Sequence, residues 1–234
     1  MKRDNWVGFV PFYLLVVILS IAVAKGGSDA ITAISDRQPV EREHCIVIDA
    51  GHGGIDGGAT SCTGVLESHI NLEIALRLND LMHLLGYDTV MIRTTDTSIH
   101  IGGNSIAAQK LSDLRERVRI VSETEGAVLI SIHQNTYHDS RFSGAQVFYS
   151  ANEEGKKLAS LLQDSLISSL NPGSNRKIKK AEGIYLMQHT TCPAVLVECG
   201  FLTNPQEEAN LRSPDYQIKL CAVLSAGISN FLHG

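Results

Sequence analysis

Among the five cysteines, Cys45, Cys62, Cys192, Cys199 and Cys221, no two stand in a Cys-x-x-Cys pair, which argues against a cysteine-held zinc site. An odd number also leaves at least one thiol free in any disulfide scheme, and most of the five are expected to be small buried side chains. Basic residues are in the minority, with 20 Lys and Arg against 25 Asp and Glu and a formal net charge of -5. That balance speaks against nucleic acid as the main partner. No repeat or low-complexity tract occurs, and 234 residues suffice for one ordinary domain with a full core. The glycine-rich stretch from Gly51 to Gly58 lacks the Gly-Lys-Ser/Thr ending of a P-loop and the spacing of a dinucleotide loop, so phosphate cradling is rejected.

What is present begins with a membrane signal. Val7 to Ala24 is apolar apart from Ser20 and follows Lys2 and Arg3. Such a run after a basic start reads as an export signal or membrane anchor over residues 1–25. Ala22-Val23-Ala24 matches the small-x-small pattern of a cleavage site. The positive end stays inside, so the remainder is expected to be exported in either case. Residues 26–43 are polar, carry Gly, Ser, Asp and Pro39, and read as a linker. Residues 44–234 are then the folded domain.

That domain is organised around Ile46-Val47-Ile48-Asp49-Ala50-Gly51-His52-Gly53-Gly54. The β-branched run suits a buried strand, and the glycines let the backbone turn tightly and approach a ligand. A helix is predicted from about Ser68 to Leu85, with Ile70, Ile74, Leu78, Leu81, Met82 and Leu85 on one face and Gly86 as its left-handed stop. Further strands are predicted over 88–93, 127–133, 145–149, 184–187 and 194–199. Helices are predicted over 111–125, with Leu114, Val118 and Val121 inward, over 153–170, and after Pro205 and Pro214. The basic run Arg176, Lys177, Lys179, Lys180 reads as a solvated loop. Strands alternating with helices predict an α/β domain, a mostly parallel twisted sheet with helices on both faces. In such sheets ligands sit at the carboxyl ends of the strands.

Three polar residues fall at those ends: His52 after the first strand, His133 closing the third and Glu198 closing the last. Glu67 stands where the first long helix begins. Two imidazoles and one carboxylate, with a fourth position left to water, make a catalytic zinc site, and a second carboxylate would be free to act as base. Singly, each has an ordinary explanation. A histidine at a strand end is often only surface, and Glu67 suits a first helical turn on dipole grounds alone. Glu198 is harder to dismiss, because a carboxylate after Val-Leu-Val is costly to bury without a partner or a task.

Four stretches taken together carry a resemblance: Ile48-Asp49-Ala50-Gly51-His52-Gly53-Gly54, Glu67 with Asn71-Leu72, Ser131-Ile132-His133-Gln134-Asn135, and Pro193 to Asn204. In this order they closely resemble the zinc-dependent N-acetylmuramoyl-L-alanine amidases, over about residues 44 to 232. The single-domain build behind a membrane segment is most similar to the germination-specific, spore-cortex branch. The resemblance implies one zinc per chain on His52, Glu67 and His133, with Glu198 as the catalytic glutamate. It implies a peptidoglycan substrate, cut between the muramic lactyl group and L-alanine, and offers Asn135 and Gln188 as substrate contacts. Two positions depart from the pattern: Gly57 stands where the family often has proline, and Gln188 where many relatives have arginine. The resemblance also implies work in spore cortex maturation, with muramic lactam formation, in the forespore intermembrane space. The rivals are a general wall amidase, a zinc peptidase cutting within the stem peptide, and a binding module that has lost catalysis. The sequence names no accessory protein.

Overall fold

A computed structural model of the chain describes residues 44–234; the segment Val7 to Ala24 and the linker over 26–43 lie outside them. Among the described residues, no helix is long and apolar enough to cross a membrane. In chain order the elements are β1 (Cys45–Ala50), α1 (Glu67–Leu84), β2 (Thr89–Met91), α2 (Ile106–Glu123), β3 (Ala127–Asn135), β4 (Gln146–Tyr149), α3 (Glu153–Ser169), β5 (Lys179–Lys180), α4 (Tyr185–His189), β6 (Ala194–Phe201), α5 (Pro205–Leu211) and α6 (Pro214–His233). The sheet runs β2-β1-β3-β6-β4-β5. β1, β2, β3 and β6 are mutually parallel, while β4 runs antiparallel to β6 and carries β5 beside it in its own direction.

Strand alternation divides the core into two layers. Ile46 and Ile48, Val128, Ile130 and Ile132, and Val195 and Val197 join the apolar faces of α1, α3 and α6 in one large cluster. Val47, Leu129 and Leu196 point the other way and meet Val121 of α2 and Leu186 and Met187 of α4 in a smaller one. Asp49, Ser131, His133 and Glu198 share parity with this second set. They therefore belong to the thinly covered face, and this positions the site.

Local differences from the expected elements have physical causes. α2 starts at Ile106, earlier than the apolar period suggests, because the Ser105 side chain caps it by accepting from the Ala108 amide at 3.2 Å. Its inward face also differs: Val121 is buried, but Asp113 and Arg117 are buried ahead of Leu114 and Val118. The strand expected over Ile184–Met187 is instead the short helix α4. Both neighbours of β6 are already taken, by β3 and β4. The Thr190 hydroxyl donates back to the Leu186 carbonyl at 3.0 Å, closing the turn. Lys179 and Lys180, expected in a loop, form the edge strand β5 and remain exposed. Gly86 has φ 87° and stops α1 as expected. All five thiols are free, and only Cys199 and Cys221 are buried, fewer than the composition led one to expect.

Candidate metal centre

β1 ends at Ala50, and the chain turns through Gly51 to His52, which has φ 62°, the one positive φ outside glycine among the described residues. Holding a non-glycine residue there costs on the order of 1–3 kcal/mol and needs surroundings that over-determine it. Two arginines supply them. Arg93 donates from Nε to the Ala50 carbonyl at 2.8 Å and from Nη2 to the carbonyls of Gly51 and Ser68, both at 2.9 Å. Arg117 donates to the Ala50 carbonyl at 3.0 Å and to the His52 carbonyl at 2.6 Å. Arg117 is in turn fixed by ion pairs to Asp113 at 2.6 Å and to Asp49. Asp49 also accepts from the Ser131 hydroxyl at 2.6 Å. Burial alone would raise the Asp49 carboxyl, but Arg117 and Ser131 outweigh it and hold it below its ordinary value.

Glu67 opens α1 and is buried. Its carboxylate accepts from the Ala59 amide at 2.9 Å, the Gln134 amide at 3.1 Å and the Asn71 side chain at 3.2 Å. The same carboxylate lies between two imidazoles, 3.0 Å from His133 Nδ1 and 3.3 Å from His52 Nε2. Burial opposes ionisation of Glu67, yet the His133 and His52 hydrogen bonds drive its carboxyl far below the usual range. The opposite face of His52 is held as well: Nδ1 is 3.0 Å from Asp56 Oδ2, and Asp56 pairs with Lys110 at 2.7 Å. Burial lowers the His52 pKa, but the carboxylates of Glu67 and Asp56 prevail and push it up to about 9.

Glycine is required where the turn meets these rings. A Cβ at Gly51 would lie 2.2 Å from His133 Nε2, and one at Gly58 would lie 2.6 Å from Glu67 Oε2 and 2.7 Å from His52 Cδ2. His52, Glu67 and His133 each offer a ligand atom, all within 4.8 Å of one another, a group that could hold a metal ion. Donor chemistry fits a divalent metal of the zinc kind: two imidazoles and one carboxylate, with Asp56 behind one imidazole fixing its orientation.

Glu198 stands directly across from His133 in the β3–β6 register. Its Oε2 is buried and has no hydrogen-bond partner. Burial raises its pKa to about 7, Glu67 adding to the rise while His133 and His52 oppose it. A cavity of 220 Å³ adjoins the cluster, lined by His52, His133, Lys110, Tyr185 and Leu196 among others. Gln188 is exposed and does not line this cavity; its helix turns Tyr185 there instead. Asn135 is half-buried, and its carbonyl accepts from the Leu202 amide at 2.8 Å. Asn71 stands with Glu67 in the sequence motif; the residues whose roles sequence reasoning passed over are Asp49, Asp56, Arg93, Lys110 and Arg117. Asp49 alone carried a signal, the same one as Glu198: a carboxylate closing a buried strand.

A donor set of this composition beside an unpartnered carboxylate, at the strand ends of an α/β sheet, suits a hydrolase that holds a metal. The profile of the N-acetylmuramoyl-L-alanine amidases matches residues 46–230, and the chain belongs to that enzyme family. The germination-specific N-acetylmuramoyl-L-alanine amidase of Bacillus subtilis (strain 168) is 39% identical over 188 residues, 80% of this chain and 78% of that protein. The CwlD amidase from Clostridioides difficile, solved in complex with the GerS lipoprotein, matches with a TM-score of 0.78 at 34% identity, covering 81% of this chain and 98% of that one. The catalytic domain of CwlV from Bacillus (Paenibacillus) polymyxa var. colistinus matches with a TM-score of 0.68 at 27% identity, covering 81% and 98%.

Proposed function

We propose that the protein is a zinc amidase that cleaves peptidoglycan between the muramic acid lactyl group and L-alanine, with His52, Glu67 and His133 as metal ligands and Glu198 as catalytic base. The observation that carries this reading is the buried, unpartnered Glu198 Oε2 in register with His133. A carboxylate is not left in that state for stability. Bound zinc would supply Lewis acidity, lowering the pKa of a water and polarising the amide carbonyl. Glu198 takes the proton of the attacking water and passes it to the departing amine. The C–N bond breaks, leaving a lactyl carboxylate on the glycan and a free amino group on L-alanine. Asp56, at His52 Nδ1, keeps Nε2 turned toward Glu67. Asn135 and Gln188 stay in the proposal as substrate contacts, with Gln188 exposed outside the cavity lining.

Muropeptide digestion tests the chemistry. Wall treated with the enzyme should yield free muramic lactyl carboxylate, and a chelator should abolish that product. His52→Ala and His133→Ala proteins should lose zinc; full retention in both would remove them as ligands. Products cut within the stem peptide would instead identify a peptidase.

Metal uptake should depend on pH with a definite sign. In the metal-free protein His52 keeps its proton up to about pH 9, and a ligand must be deprotonated, so zinc displaces that proton. Affinity should rise about tenfold per pH unit from roughly pH 7 to pH 9, then level off. Asp56→Asn should weaken zinc binding by about 10–100-fold through loss of the outer partner. Calorimetry in buffers of differing ionisation enthalpy checks both, and an affinity flat across this range would refute the protonated His52.

The cellular setting belongs to the same proposal. Relatives that are germination-specific or of the CwlD kind support a role in spore cortex, and Val7 to Ala24 supports export or anchoring at a membrane. The lipoprotein bound to the C. difficile relative makes an accessory protein part of the reading. Deleting the gene should leave vegetative growth and sporulation near normal while spores lack muramic lactam and fail to complete germination. Normal lactam in mutant spores would refute the cortex role and leave the amidase chemistry standing.

A further inference from the structure

β3 does not stop at the metal centre. Two residues beyond its end at Asn135, and within about 14 Å of chain from His133, Tyr137 reaches the surface. Tyr137 and Phe142 are 42% and 44% exposed, large values for aromatic rings. Their centroids lie 4.2 Å apart with the planes tilted by 46°. Phe142 backs onto the buried Phe201 at 6.3 Å, and the Arg176 guanidinium sits 4.6 Å over the far ring. The ledge is tied down rather than loose. The Tyr137 amide donates to Thr203 Oγ1 at 3.1 Å, and the Asn204 side chain donates to the Phe142 carbonyl at 3.3 Å. Thr203 and Asn204 follow the strand that carries Glu198, so both catalytic strands brace the rings. Beyond Phe142 opens a groove of 910 Å³ with the polar side chains of Asp139, Arg141, Asn171, Asn175 and Arg176 on its walls.

We infer that the Tyr137–Phe142 ledge and this groove form a saccharide subsite, which holds a neighbouring pyranose of the glycan strand whose muramoyl amide is at the metal centre. This rests on the amidase reading above. The amide hangs from a polysaccharide, so sugar rings must extend past the site on at least one side. The ledge stands at the same strand ends as His133 and Glu198. A pyranose presents a face of partially positive C–H bonds, which suits the negative face of an aromatic ring. Its hydroxyls call for amide, carboxylate and guanidinium partners, and those line the groove. A protein-docking patch would present a wider apolar centre than two rings bordered by polar groups.

The test uses Tyr137→Ala and Phe142→Leu, singly and together; the leucine keeps packing on Phe201 but removes the flat face. Each is assayed on long glycan strands and on a monosaccharide muramoyl-peptide. The double variant should raise KM on strands by about 5–150-fold, at roughly 0.5–1.5 kcal/mol per stacked ring, with kcat unchanged. On the monosaccharide kcat/KM should stay at the parent value, and Phe142→Trp should keep the parent KM on strands. Equal losses on both substrates, or an unchanged KM on strands, would overturn the subsite. Loss of binding to an accessory protein with strand KM unchanged would likewise overturn it and assign the rings to that protein. Binding of peptide-free glycan to Glu198→Gln protein separates the two readings. Ring-dependent binding of the glycan, with no hydrolysis of peptide-bearing strands by the parent, fails the amidase reading alone; hydrolysis of those strands with ring-independent binding fails the subsite alone.

Discussion

Glu198→Gln should cut turnover by about 10²–10⁴-fold, the range a positioned general base supplies, while zinc content and fold stay those of the parent. The amide has the carboxylate's shape but cannot accept a proton. The same substitution should have an opposite effect on stability. An ordinary glutamate titrates near 4.5 when exposed, whereas burial raises Glu198 to about 7 in the metal-free fold. A carboxyl whose folded pKa is raised costs stability as it ionises, and that cost grows between about pH 4.5 and pH 7 and is complete above. Metal-free Glu198→Gln should therefore melt several degrees above the parent at pH 8 and at the parent's temperature at pH 4. A structural glutamate would behave the other way, with activity kept and stability lost. Parent turnover together with unraised melting at pH 8 would require a different base.

The contrast between Glu198 and Arg117 explains how far the sequence could be read. Glu198, His52 and His133 are each a polar residue interrupting or closing an apolar β-branched run, and a strand's period of two makes such an interruption visible. The fold was legible for the same reason, since the β-branched runs Ile46 to Ile48, Val128 to Ile132 and Ala194 to Val197 suit buried strands. The support beneath the site was hidden. Asp113 and Arg117 are four apart on a helix, the spacing of a surface ion pair, and surrounding charges such as Arg115, Glu116 and Arg119 made that reading natural. Only the third dimension shows Asp49 waiting on β1 to complete the pair. Arg93 sits just past a short strand, and nothing local tells that its guanidinium reaches back 43 residues to the Ala50 carbonyl. The short helix α4 was misread because Ile184-Tyr185-Leu186-Met187 suits either geometry. The choice fell to the sheet, which had no free edge beside β6.

The second large effect is expected at Arg117. Arg117→Met keeps the length of the side chain but strips Asp49 of its buried cation and leaves the Ala50 and His52 carbonyls without this donor. Breaking one partner of a buried pair costs about 3–5 kcal/mol, which for a domain of this size lowers Tm by roughly 6–20 °C. Arg119, two residues on, has the same nominal chemistry: it pairs with Glu116 and Glu123 but is 52% exposed. Arg119→Met should leave Tm where it was, because solvent and side-chain entropy cancel most of an exposed pair. Burial, not the count of ion pairs, decides between them. The turn should also feel the loss at Arg117, since its contact with the His52 carbonyl helps hold His52 at its positive φ. Zinc affinity should therefore fall along with stability, although Arg117 is no ligand. Asp49→Asn with Arg117→Met should cost less than the two singles summed, by about 0.5–3 kcal/mol, as expected when a second change removes a charge the first left stranded. Thermal melts of the parent and the four variants decide it: strict additivity, or an Arg117→Met protein as stable as Arg119→Met, would mean that the buried pair does not hold the turn.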